Sequence, residues 1–130
     1  MFKVEKVEVL PRRDKFGIEH RLFLSGDTEA LKSLFERFLS AQSFSAEGKH
    51  LEIVFNPQEV VRFELEKPLE DYYTDDVHTA WKEMVAEALG MEEPFRYYSF
   101  YSLEGRHLGT VGFKQDCENL LPIITVYKNF

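Results

Sequence analysis

A chain of 130 residues that is 44% hydrophobic and 30% charged can bury a sizeable core without metal or disulfide. Its single cysteine, Cys117, excludes an intramolecular disulfide, and no apolar run approaches the ~20 residues needed to span a bilayer. The net charge of −7 disfavours a nucleic-acid partner, whose phosphates require clustered Lys and Arg. The opening MFKVEKVEVL mixes charge into its apolar residues and has no continuous apolar core, so it does not read as a signal peptide. The expectation is a single cytoplasmic domain over residues 1–130.

In chain order, residues 2–10 and 18–25 read as strands. In the second, Ile18, His20, Leu22 and Leu24 share one parity, and Glu19, Arg21 and Phe23 share the other. The first changes phase between Val4 and Val7, which a β-bulge near Glu5–Lys6 explains. Between them PRRDKFG forms a turn with a basic tip, Arg12, Arg13 and Lys15. Residues 27–43 read as a helix capped by Ser25 or Asp27, with Leu31, Leu34, Phe35, Phe38 and Leu39 on its apolar face. Strands 49–56 and 60–66 follow, each with one apolar and one polar face. A second helix spans 75–89. Thr74 or Asp75 caps it, Gly90 suits its end, and Val77, Ala80, Trp81, Met84 and Val85 recur at helical spacing. Strands at 96–103, 107–114 and 121–127 complete the order β-β-α-β-β-α-β-β-β. This predicts an α+β fold, a mainly antiparallel sheet with two amphipathic helices on one face. Its βαββαβ middle resembles the order of ferredoxin-like folds.

Charge is unevenly placed. Residues 68–94 carry eight acidic side chains and one basic one. Asp75 and Asp76 suit the first turn of the second helix, where the backbone dipole favours anions. As a functional surface, Asp71, Asp75 and Asp76 would meet a basic protein partner, as inhibitor- or immunity-type binding proteins do. In a homodimer they would meet the basic tip of a second copy. The stretch RYYSFYS, Arg96 to Ser102, is aromatic on both parities. A two-layer fold covers only one sheet face, so Tyr98 and Phe100 are candidates for an exposed protein-binding patch.

Other chemistry is weaker. RNA-recognition domains display aromatics on the strand matching VVRFELE, which here would show Arg62, Glu64 and Glu66. Gly105, Gly109 and Gly112 belong to a turn and a strand, not to the strand-to-helix junction that cradles phosphate. No pattern names a catalytic residue, a cofactor or a metal site. Cys117 with His107 would be a nucleophile and base only if the fold joined them. The expected role is therefore protein–protein contact, with catalysis disfavoured. The alternative is a small-molecule-binding domain or small enzyme, with a pocket between the sheet and helix 75–89 built from Trp81, Tyr97, Tyr101 and His78.

Overall fold

The computed structural model describes residues 2–37, 40–88, 93–115 and 122–127. It has the expected α+β order with one further strand. The strands are β1 (Phe2–Arg12), β2 (Gly17–Leu24), β3 (Ser43–Glu47), β4 (His50–Asn56), β5 (Glu59–Glu64), β6 (Phe95–Ser102), β7 (His107–Gln115) and β8 (Pro122–Tyr127). The helices are α1 (Thr28–Glu36) and α2 (Asp75–Glu87). A 3-10 turn, Leu69–Tyr72, leads into α2. No helix of the described residues is long and apolar enough to cross a membrane.

Local chemistry explains most boundaries. The Asp27 carboxylate accepts from the Glu29 backbone N–H at 2.9 Å and starts α1. Thr74 Oγ1 accepts from the Val77 N–H at 3.3 Å and starts α2. The phase change in β1 is an irregularity between Val4 and Lys6 in its pairing with β2. Gly105, with φ +90°, turns β6 into β7. Gly109 lets α1 approach β7, since a Cβ there would lie 3.4 Å from the Phe35 Cβ.

The expected helix over 27–43 ends sooner, and Ser43–Glu47 is a strand. Phe44 pairs with Ile53 and Ala46 with Leu51; Phe44 is turned inward beside β4, and Ala46, nearer the turn, is exposed. A long helix would have left that edge of β4 open and Phe44 uncovered. Phe38, Leu39 and Gly90 lie outside the described residues.

The strands form one sheet in the order β3-β4-β5-β1-β2-β6-β7-β8. Pairing is antiparallel except β1–β5 and β2–β6. The βαββαβ middle does not close on itself, because β1 inserts between β2 and β5. The sheet is strongly curled. Five inter-strand steps separate β3 from β6, which in a flat sheet would place them about 24 Å apart. Yet the rings of Phe44 on β3 and Tyr98 on β6 have centroids 4.9 Å apart, and those of Phe63 and Phe100 are 5.4 Å apart.

Both helices pack on the concave face. Leu31, Leu34 and Phe35 of α1 join Leu22, Phe63 and Phe100, and Phe35 and Phe100 sit 4.6 Å apart. Val77, Ala80 and Met84 of α2 join Val9 and Ile18. Val9, Ile18, Leu22 and Phe100 share one face of the sheet. This curl overturns the exposed-patch expectation. Tyr98 is 3% exposed and Phe100 0%, because the chain's own β3–β5 layer and α1 cover them. Among the described residues the exposed large apolar ones are Val60 on β5, Val85 on α2 and Leu103 in the β6–β7 turn, which lie apart in the fold.

Candidate functional site

The curl leaves a cleft of about 460 Å³ between the β3–β4 turn, the 3-10 turn before α2, and the start of β6. Phe44, Tyr73 and Tyr98 give it aromatic walls, and Arg96 and Glu70 give it opposite charges. Such a size and such a mix of apolar wall with few polar groups are typical of small-ligand sites. Glu47 and His50, paired across the β3–β4 turn, line its margin.

Beneath the cleft lies His20, fully buried on β2. Its Nδ1 is 3.0 Å from the Tyr97 carbonyl oxygen, which can only accept, so Nδ1 carries the proton. Burial drives the imidazole pKa down to about 4, so the ring is neutral and Nε2 is an acceptor. The Tyr73 hydroxyl donates to Nε2 at 2.6 Å. Tyr98 stacks on the same imidazole, with centroids 4.6 Å apart and planes 11° apart. Burial also pushes the Tyr98 and Tyr73 phenols above their ordinary values. Tyr73 therefore spends its one proton on His20 and leaves only lone pairs on its oxygen.

Arg96 is held differently. It sits on β6 at the parity of Tyr98, and its guanidinium lies over the Trp81 ring at 4.7 Å. That stacking positions it without neutralising it. Among the described residues, neither Arg96 nor Glu70 enters an ion pair. Both act on the same phenols. Glu70 raises the pKa of Tyr73 and Tyr98, and Arg96 lowers it.

The four residues of the expected pocket between sheet and α2 are not brought together. Trp81 and His78 belong to α2 on the concave side; Trp81 supports Arg96, and exposed His78 touches the Tyr73 ring at 5.6 Å. Tyr97 and Tyr101 point to the convex face, opposite in parity to Tyr98. Tyr97 donates to the Lys15 carbonyl at 2.7 Å, and Tyr101 stacks on Phe23. Period-two geometry separates neighbours on a strand, so no pocket holds all four.

Asp71, Asp75 and Asp76 are exposed and do not line the cleft, and none of them enters an ion pair among the described residues. The basic tip is committed within the chain: Arg12 bonds Asp14 and Glu19, and Arg13 reaches Glu83 on α2. Cys117 lies outside the described residues.

The convex face has its own buried polar chain. Glu19 accepts from Arg12 at 2.9 Å, Arg21 at 3.0 Å and Ser99 at 2.7 Å. Ser99 also meets Thr110, which meets His107 Nε2 at 2.8 Å. Burial works to raise the Glu19 pKa, but the bonds from Ser99 and Arg12, with Arg21 close by, outweigh it and hold the carboxyl below its usual range.

Sequence reasoning missed Phe44, Tyr73 and Arg96 as site residues, and placed Glu70 only among the acidic residues that would meet a second copy. The signal for Phe44 was the alternation of SFSAE before Gly48. Nothing local marks the other two. Comparison with protein-family models, with curated proteins and with solved structures finds no match.

Proposed function

We propose that this protein is a binding module whose ligand is a small organic molecule held in the Phe44–Tyr73–Tyr98 cleft. The observation that carries this reading is a pair of charges, Arg96 and Glu70, that line an aromatic-walled cleft and enter no ion pair among the described residues. Glu70 is exposed and Arg96 half-buried, so both keep their charge at the cleft wall with no ion-pair partner among the described residues. Here they stand ready for a ligand's polar groups. The His20–Tyr73 bond and the Trp81–Arg96 stack hold Tyr73 and Arg96 in place beforehand, which lowers the ordering cost of binding.

Thermal unfolding across a panel of metabolites tests the reading. A ligand at a hundredfold excess over its Kd stabilises the fold by about 2.7 kcal/mol, a rise of several degrees in Tm. That rise is expected in the wild type and lost in Arg96→Ala. If no compound moves Tm, or if Arg96→Ala responds equally, the cleft is not the site.

One observation favours a second reading, a protein partner at the acidic surface. Asp71, Asp75 and Asp76 are exposed and enter no ion pair among the described residues. In that case Asp75→Lys abolishes capture of a basic protein partner, and the panel leaves Tm unchanged.

A further inference from the structure

We infer that the ligand is a zwitterion, an α-amino acid with an apolar side chain. This rests on the cleft being the binding site. The charges lining the cleft weigh against a ligand of one sign. A plain cation meets Arg96, and a plain anion meets Glu70 and Glu47. Like-charge contact at such close range is repulsive. A dipolar head satisfies both sides at once.

The hydrogen-bonding inventory has the same polarity. Arg96 only donates, in a planar fork suited to a carboxylate. Glu70 only accepts when ionised. Tyr73 joins the accepting side, because its proton is given to His20 Nε2 at 2.6 Å. The ligand's ammonium thus lies toward Glu70 and the Tyr73 oxygen, and its carboxylate toward Arg96. The walls of Phe44 and Tyr98, tilted 52° to each other, receive the apolar side chain. A cleft of about 460 Å³ is of the size that takes such a molecule.

The probes are L-phenylalanine, phenethylamine, which lacks the carboxylate, and 3-phenylpropionate, which lacks the amine. Titration calorimetry is expected to rank phenylalanine at least about tenfold tighter than either, since each analogue leaves one charge of the cleft unpaired. Glu70→Gln, an exposed position, weakens phenylalanine by about tenfold and leaves 3-phenylpropionate no weaker. Arg96→Lys keeps the charge and loses the fork, so it weakens phenylalanine and leaves phenethylamine unchanged. Phenethylamine or 3-phenylpropionate binding as tightly as phenylalanine overturns the zwitterion and leaves the cleft as the site. Failure of all three probes, and of the wider metabolite panel, overturns both.

Discussion

On the concave side of β2 and β6, His20 stacks against Tyr98; one residue earlier on the convex side, Glu19 is bonded to Ser99. All four side chains are buried. His20 has two neutral partners, so desolvation wins and the ring gives up its charge. Glu19 has two arginines and a hydroxyl, so it keeps its charge despite burial. Strand alternation places the two solutions back to back. The lesson is that burial alone does not decide ionisation; the number of charged donors within reach does.

The sharpest way to separate the faces is to truncate neighbours. Phe100→Ala empties a fully buried concave position that touches Phe35 and Phe63, and is expected to cost about 4 kcal/mol in urea unfolding. Tyr101→Ala, half-buried on the convex face, is expected to cost at most about half of that. Equal losses would mean that the convex face is packed as tightly as the core.

Acid is the next probe. His20 has its pKa lowered in the fold, so the unfolded chain binds the extra proton first. Its contribution is complete above pH 6.5 and is lost as pH falls toward about 4, a span worth about 3 kcal/mol. Glu19 is also lowered, so its contribution is present above the unfolded carboxylate value of 4.5 and is lost only below that. Urea midpoints from pH 7 down to 3.5 should therefore fall in two stages. His20→Asn should remove the upper stage and leave the lower one. A flat profile between pH 6.5 and 4.5 in the wild type would contradict a neutral, buried His20.

The smallest effect belongs to the exposed ion pair between the hairpin and α2. Arg13→Ala removes the contact with Glu83, whose side chain and that of Arg13 are both about half exposed. The expected loss is under about 1 kcal/mol and vanishes in high salt. A larger loss would show that this pair holds the basic tip in place, unlike the Arg12–Glu19 bond at the edge of the core.

Much of this fold is written locally. Alternation along β2 marks Ile18, His20, Leu22 and Leu24 as one inward row. Asp27 and Thr74 announce the helix starts, and the phase change in β1 announces its bulge. Such signals depend on neighbours within a few residues, and a reader of the chain meets them together. The short strand β3 was legible in principle but was hidden by helical spacing that continues through Phe38 and Leu39. The acidic run 68–94 is likewise a sequence property, and the structure keeps Asp71, Asp75 and Asp76 on the surface.

The candidate site was not legible, because every contact that makes it is long-range. His20 meets Tyr73 across 53 residues and the Tyr97 carbonyl across 77. Phe44 reaches Tyr98 only because the sheet curls, and Arg96 reaches the cleft beside Trp81 from a different element. Sequence patterning by itself determined which parity of each strand is apolar. What covers that parity depends on the accumulated twist of eight strands and the volume of α1 between them, which no local window encodes. That closure is what buried Tyr98 and Phe100, and it left Arg96 and Glu70 facing one cleft.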